Sequence, residues 1–257
     1  MNSGRRQRIL TVIAIALTFA SGAADVGCFT RLGGVFASVM TGNIVLWGLA
    51  AARGSATLGI HTTVSIAGYI TGVACGTWIG HGVKTAAVAV KGTPSDSDAD
   101  PASDSESDAA GDGGALPSHV LGVLLAELTL LAGFTVGWEV SGARPAGWAQ
   151  FGLLATLTAA MGMQSFAVNN MGLTEVSTTY LTGTLTGLVS SLASPGKRTP
   201  NAGRRFGVLI GLVAGASLSG LLVATAADGV PALPLAALIT TIVAATGPGW
   251  RARRLNR

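Results

Sequence analysis

The segment VFASVMTGNIVLWG, residues 35–48, is apolar at both ends and carries Thr-Gly-Asn at its centre. A similar arrangement returns as TTYLTGTLTGLV, residues 178–189. Glycine costs a helix about 1 kcal/mol relative to alanine, and hydrocarbon offers no partner to the polar groups of asparagine. The occurrence of this costly arrangement in two apolar runs predicts that the two segments are a pair with a role in structure or function.

The composition on either side of these segments is that of a membrane protein. Of the 257 residues, 49% are hydrophobic and only 11% are charged, whereas soluble domains carry about a quarter charged residues. Whole segments of about 18–25 residues hold one charge or none, which is the length that crosses a hydrocarbon core of about 30 Å. The apolar runs are continuous rather than alternating, so we expect an all-α, polytopic transmembrane helical bundle.

Eight spans are predicted from these runs, at 9–30, 35–52, 57–82, 118–138, 147–170, 177–194, 205–226 and 232–247. With the N-terminus in the cytoplasm, thirteen Lys and Arg residues fall on cytoplasmic segments and three (Arg31, Lys84 and Lys91) fall outside. Cytoplasmic loops carry excess Lys and Arg, so this count predicts a multi-pass protein of the bacterial inner membrane with both termini in the cytoplasm.

The predicted organisation has six parts. They are a basic cytoplasmic N-tail (1–8), a first repeat with spans one to three (9–90), an acidic extracytoplasmic loop (91–117), span four (118–138), a second repeat with spans five to eight (147–247) and a basic cytoplasmic C-tail (248–257). The acidic loop holds seven of the twelve acidic residues and no large apolar residue before Leu116. Such a segment cannot bury enough apolar surface to order itself, so we predict that it is disordered.

An internal repeat is indicated by glycines spaced four apart. The third span has a ladder of small residues that returns in the seventh span at an offset of 139: Gly68, Gly72, Gly76 and Gly80 match Gly207, Gly211, Gly215 and Ser219. Small residues at this spacing let helix backbones approach closely in lipid. Two four-helix repeats of the same orientation follow from an even number of spans per half; three spans per half would make the repeats inverted.

Polar residues inside the apolar runs are the candidate site. Paired glycine-interrupted spans point to a transporter-type binding site, and a carboxyl group within the membrane is a functional hypothesis by default. The predicted solute-binding residues are Asp25, Thr41, Gly42, Asn43, Gln164, Thr182, Gly183 and Thr184. Asp25 and Glu127 are also the candidate proton or cation sites. The alternative is that Gly, Thr and Asn serve helix packing alone, and that Asp25 pairs with Arg31.

Other kinds of site are not indicated. No nucleophile–base pair, zinc-binding HExxH or phosphate-binding glycine loop is present, so we predict no catalytic residues, no metal, no cofactor and no enzymatic activity. The net charge of +4 arises from residues at membrane borders, which suits anionic lipid rather than nucleic acid.

The chain resembles the YoaK-like bacterial membrane proteins, a domain-of-unknown-function family. The first signature falls in SGAADVGCFTRLGGVFASVMTGN, on Gly22, Asp25, Phe29, Phe36, Thr41, Gly42 and Asn43. The second falls in AMGMQSFAVNNMG and TTYLTGTLTGL, on Ala160, Gly162, Gln164, Thr178, Thr182, Gly183 and Thr184. Ser165 and Phe166 stand where the family usually has Asn-Ala. The resemblance implies a polytopic inner-membrane protein and no particular substrate.

Two functions are favoured by the sequence, and an intramembrane enzyme with an unrecognised set of residues is a third that stays open. The first is a transporter or permease for a small polar solute or ion, with its site near the membrane midplane. The alternative is a membrane scaffold or lipid-interacting protein in which the Thr-Gly motifs and glycine ladders serve helix packing. In that case the ladders would form a homo-oligomer face. The partners expected are the lipid bilayer, a small polar solute or ion and a second copy of the chain.

Overall fold

In a computed structural model, residues 3–91, 116–171, 181–193 and 202–246 are described, and they contain helices and no strand. The predicted all-α class is confirmed. The helices are α1 (Ser3–Arg31), α2 (Met40–Arg53), α3 (Ala56–Lys91), α4 (Ser118–Val140), α5 (Trp148–Asn170), α6 (Leu181–Ala193), α7 (Ala202–Thr225), a short 3-10 helix (Ala227–Gly229) and α8 (Ala232–Thr246).

Six of these helices are long and apolar enough to cross a membrane, which makes this a membrane-embedded protein. Within the described residues the candidate spans are Gln7–Arg31, Ala56–Ala86, Ser118–Val140, Trp148–Asn170, Gly203–Thr225 and Ala227–Thr246. α2 has 14 residues, about 20 Å of helix. α6 is a short helix of 13 residues as far as it is described, and the segments on both sides of it lie outside the described residues. Within the described residues, six of the eight predicted spans are therefore found as candidate spans, and the predicted second span is a short helix.

Contacts between distant residues fix the helix directions. α1 and α7 run parallel, because the Ser219 hydroxyl donates to the Ala23 carbonyl (2.9 Å) and, further along both helices, Arg31 donates to the Val223 carbonyl (3.1 Å). The bundle has two ends. The end at which α1 begins is called the "terminal end", and the end at which α1 finishes, with Arg31, is called the "opposite end".

α1 and α5 run in opposite directions. Gln150, at the start of α5, donates to the carbonyl of Arg31 at the end of α1 (3.0 Å). Fourteen residues later on α5, Gln164 donates to the carbonyl of Leu17 (3.1 Å). Four spans per repeat predicted the same orientation for spans one and five, and this prediction was wrong.

α3 runs parallel to α5 and therefore away from the opposite end. His61 Nε2 lies 3.2 Å from Gln150 Oε1 near the start of both helices, and Gly76 faces the ring of Phe166 further along. α4 returns antiparallel to α5, and its Trp138 indole donates to the carbonyl of Ala227 (3.0 Å), just after α7 ends. α8 then runs back along α1.

α3 ends and α4 begins at the terminal end. The acidic loop predicted at 91–117 falls almost entirely on residues 92–115, which lie outside the described residues. Its disorder and its extracytoplasmic side therefore stay predictions.

The closest helix pairs are α1 with α7 and α3 with α5, and glycine makes both possible. At four positions an added Cβ would overlap a backbone carbonyl oxygen of the facing helix: Gly22 with Leu212, Gly72 with Ala159, Gly162 with Tyr69 and Gly215 with Phe19. All eight predicted ladder residues face a neighbouring helix of the same chain. The ladder residues thus pack on helices of the same chain, and the homo-oligomer face of the scaffold hypothesis stays a prediction.

Candidate functional site

The chain turns back into the bundle after α1. Residues 32–39 are not helical, yet Leu32, Val35 and Ala37 are completely buried. The turn depends on Gly33 and Gly34, whose φ angles of +99° and +75° favour glycine. Gly33 also packs directly on the His61 ring, where a Cβ would overlap it.

The depth of this turn follows from one hydrogen bond. The Ser65 hydroxyl donates to the carbonyl of Phe36 (2.8 Å), and Ser65 lies nine residues into α3, about 14 Å from its start. From that depth α2 leads back to the opposite end and stops at Gly54, which has the left-handed φ of +63°. We call residues 32–53 the re-entrant segment, since the chain enters as a loop and leaves as a helix.

Asn43 holds the loop part of this segment in place. The backbone N–H of Phe36 donates to its Oδ1 (2.9 Å), and its Nδ2 donates to the Phe36 carbonyl and to Ser65 Oγ (2.8 Å each). The Thr-Gly-Asn motif therefore lies in the first turn of α2, not at the centre of a span as predicted. Gly42 packs near the Phe36 ring, where an added Cβ would lie 3.1 Å from Cδ2, and Thr41 is exposed.

Asp25 closes the same loop from the α1 side. Its Oδ1 accepts the backbone N–H groups of Ala37 (2.8 Å) and Ser38 (2.7 Å), and its Oδ2 accepts the Ser38 hydroxyl (2.7 Å). The side chain is only 7% exposed. Within the described residues Arg31 bonds to Val223 instead, so the Asp25–Arg31 pair considered from the sequence does not form. We call Asp25 and Asn43, with the loop groups that they bind, the latch.

A second network, which sequence reasoning missed, supports the latch from α5. His61 is 4% exposed, and its Nδ1 lies 2.7 Å from the Thr57 carbonyl. Its Nε2 meets Gln150, which also donates to the carbonyl of Arg31. The signal in the sequence that could have predicted this network is His61 near the start of an apolar helix, which follows the double glycine of Gly33 and Gly34.

Gln164 and Glu127 lie deeper. Gln164 donates to Ser21 Oγ (2.8 Å) as well as to the Leu17 carbonyl, which joins α5 to α1 near the middle of the bundle. Glu127 on α4 is completely buried. Within the described residues, the Gln164 Oε1 atom and both carboxyl oxygens of Glu127 have no hydrogen-bond partner.

The remaining predicted residues lie on α6, away from the latch. Thr182 and Gly183 are exposed, whereas Thr184 is buried. α6 packs on α7 close to the terminal end, where Gly187 meets Arg205. The predicted solute-binding residues thus form two groups, with Asp25, Thr41, Gly42 and Asn43 at the re-entrant segment and Thr182, Gly183 and Thr184 on α6. Gln164 belongs to neither group, because its hydrogen bonds go to α1. Thr178 lies outside the described residues.

Comparison with known proteins gives a family for this arrangement. Residues 13–246 match the family described as Protein of unknown function (DUF1275). The chain belongs to the DUF1275 family. The YoaK-like resemblance is consistent with this assignment. No curated protein and no solved structure matches the chain.

The match covers every residue of the candidate site. It begins within α1 and ends at the last residue of α8, so it includes the latch, both short helices and the buried Glu127. The basic C-terminal tail lies outside it.

The role of the latch asparagine can be tested in this DUF1275 protein. Asn43→Ala is expected to lower the free energy of unfolding by about 1–3 kcal/mol, because the part-buried N–H of Phe36 loses its acceptor and the buried Ser65 loses a partner. The measurement is unfolding in mixed micelles at increasing SDS, followed by circular dichroism. Thr41→Ala, two residues away and exposed, is the control and should stay within about 0.5 kcal/mol of the wild type. Equal stability of the two variants would contradict the role assigned to Asn43.

Proposed function

We propose that this protein is a transporter of a small polar solute or ion in the bacterial inner membrane. The observation that carries the proposal is the re-entrant segment, which brings non-helical backbone to membrane depth. Such backbone is tolerated in a membrane only where protein buries it or where it lines a cavity, and broken helices of this kind occur in transporters. A bundle held together by packing alone has no need of one.

A second short helix supports the same reading. α6 follows α5 in the chain as α2 follows α1. α1 and α5 run in opposite directions. The two halves of the chain, α1–α4 and α5–α8, therefore fit an inverted repeat with three spans and one short helix in each copy. Inverted repeats let a transporter open alternately to either side by rocking one half against the other.

The contacts of the glycine ladders support this repeat. Residues of α1 match residues of α5 at an offset of 140, so Phe19 corresponds to Ala159. Gly72 packs on Ala159 and Gly215 packs on Phe19. Gly72 and Gly215 are then equivalent, at an offset of 143 rather than the 139 read from the sequence. Because the ladder repeats every four residues, a shift of one step was invisible there.

The distribution of basic residues supports termini in the cytoplasm. Counted by the helix end to which each segment is attached, thirteen of the sixteen Lys and Arg residues belong to the terminal end, and three (Arg31, Arg53 and Arg144) belong to the opposite end. The excess on the terminal end fits the cytoplasmic side. The eight-span prediction gave the same ratio, so charge counting alone does not separate the two topologies.

The solute site is best placed beside Gln164. This residue joins α1 to α5, the pair of helices that a twofold axis would exchange, and its Oε1 is free to accept a hydrogen bond among the described residues. Asp25 and Asn43 are already engaged by the chain, so their part in this conformation is to hold the re-entrant segment. Movement of that segment would open a path to the site from the opposite end.

Ligand binding tests the proposal. Purified protein is screened by thermal shift against amino acids, sugars, polyols, monovalent cations and inorganic anions, and each hit is tested for uptake into proteoliposomes. A ligand at one hundred times its dissociation constant stabilises the folded state by about 2.7 kcal/mol. We expect a hit whose shift and uptake are lost in Gln164→Leu and kept in Thr156→Val, a change on the same helix that removes a hydroxyl bonded to its own helix.

A membrane scaffold is the alternative function. Its support is that every polar group of the Asn43 side chain already bonds to the chain itself, as interhelical packing requires. A screen without any shift or uptake, on protein that unfolds cooperatively, would favour the scaffold.

A further inference from the structure

Glu127 is the most unusual buried group in the bundle. It lies nine residues after the start of α4 and thirteen before its end, with no exposed surface. Neither carboxyl oxygen has a partner among the described residues. An unpaired carboxylate in an apolar interior is among the most costly groups a protein can bury.

The register of α4 against α5 sets Glu127 at the level of Gln164. The two helices are antiparallel, and Gly137 packs on Leu153, where an added Cβ would lie 2.7 Å from Cδ2. Counting ten residues back along α4 from Gly137 leads to Glu127. Counting ten residues forward along α5 from Leu153 leads to Met163, which directly precedes Gln164.

A second route through α3 gives the same level. α3 packs on both helices, with Gly80 meeting the ring of Phe166 on α5 and Val83 meeting Gly122 on α4. Counting from these two contacts again brings Glu127 within about one residue of Gln164 in height.

We propose that Glu127 carries a proton and shares it with Gln164, so that the two side chains form a proton-binding site at the middle of the membrane. Three buried acceptor oxygens, two from Glu127 and one from Gln164, need a donor that the described residues do not supply. Uptake of a proton from a hydronium ion forms one O–H bond on the carboxyl group, while one O–H bond of the hydronium ion breaks and leaves a water molecule. The carboxyl group becomes neutral, and its protonated oxygen becomes a donor for Gln164 Oε1.

The surroundings contain little that could neutralise Glu127 instead. α5 and α8, which both pack on α4, have no ionisable side chain. On α3 the half-buried Cys75 is nearest in level, Tyr69 lies further towards the opposite end, and His81 and Lys84 lie further towards the terminal end. On α4 itself the ionisable residues are His119 and Glu139, near its two ends.

This inference deepens the proposed function, since a proton site beside the proposed solute site would couple transport to the proton gradient. Gln164 would then contact both the proton carrier and the solute. Rocking of the two halves would give Glu127 access to water on each side in turn.

Infrared difference spectroscopy tests the proton directly and does not require a known solute. Wild-type protein in nanodiscs at neutral pH is compared with Glu127→Gln, which keeps the shape and a donor for Gln164. We expect a carboxylic acid C=O band that is present in the wild type and absent from Glu127→Gln. In Gln164→Leu the band should persist at a higher frequency, because its hydrogen bond is lost. Glu139→Gln, an exposed change on the same helix, is the control and should leave the band unchanged.

Two results would overturn the proton site. One is a wild-type spectrum without a band that Glu127→Gln removes. The other is stabilisation of the wild type, and not of Glu127→Gln, by sodium or potassium ions, which would put a metal cation in the place of the proton. If the band is present and no solute is taken up, the proton site stands and the transporter proposal fails. If a solute is taken up and the band is absent, the transporter proposal stands and the proton site fails.

Discussion

Asp25→Ala is expected to lower the free energy of unfolding by about 2–6 kcal/mol. The change strands the backbone N–H groups of Ala37 and Ser38, which are buried and bond to the same carboxylate oxygen. Each buried donor without an acceptor costs about 1–3 kcal/mol. The loss is measured by unfolding in mixed micelles at increasing SDS, with protease cleavage of residues 32–39 as a local readout.

Ser38→Ala is the matched control for Asp25→Ala. It removes only the hydroxyl that bonds to Oδ2 (2.7 Å) and leaves both backbone N–H groups with their acceptor. We expect a cost of about 1 kcal/mol and no increase in protease cleavage of the loop. If Asp25→Ala and Ser38→Ala cost the same, the carboxylate does not hold the loop backbone as described.

Gly72→Ala is the second change with a large expected effect. An added Cβ would overlap the carbonyl oxygen of Ala159 and lie 2.7 Å from its carbonyl carbon, so α3 and α5 would have to separate. Overpacking of this kind costs about 1–3 kcal/mol and more where backbone must move. Gly215→Ala should behave alike, because its Cβ would overlap the carbonyl oxygen of Phe19. The measurement is the thermal unfolding midpoint in detergent.

Gly133→Ala is the control for the glycine changes. Gly133 lies on the spanning helix α4, and an added Cβ would meet no atom within 4 Å. Alanine is the better helix former by about 1 kcal/mol, so this variant should be as stable as the wild type or more so. Equal midpoints for Gly72→Ala and Gly133→Ala would show that the ladder is not in tight contact with α5.

The residues of the latch were predicted from the sequence, but their action was not. Asp25 and Asn43 were selected because a carboxylate and an amide are costly in hydrocarbon. Apart from Ser65, their partners are Ala37, Ser38 and Phe36, which are ordinary apolar or small residues. The bonds mostly involve backbone groups of those partners, and a backbone group leaves no trace in the identity of its residue.

Topology was the part of the fold that the sequence left open. Hydropathy sums the transfer free energies of side chains over a window, so a buried apolar loop followed by a short helix reads the same as one spanning helix. Residues 35–52 were counted as a span for that reason. One miscounted crossing reversed the orientation expected for the second half, and the ratio of basic residues stayed at thirteen to three.

The sequence by itself determined that the chain is helical, embedded in a membrane and a member of the DUF1275 family, and it identified the small and polar residues that the helices bury. These properties are set by side-chain chemistry and spacing, which the sequence records directly. Only the tertiary structure decided that α2 turns back instead of crossing, that α1 and α5 run in opposite directions, and that Glu127 lies level with Gln164. Those properties depend on which distant backbone groups satisfy one another, and burial in lipid makes every such pairing obligatory.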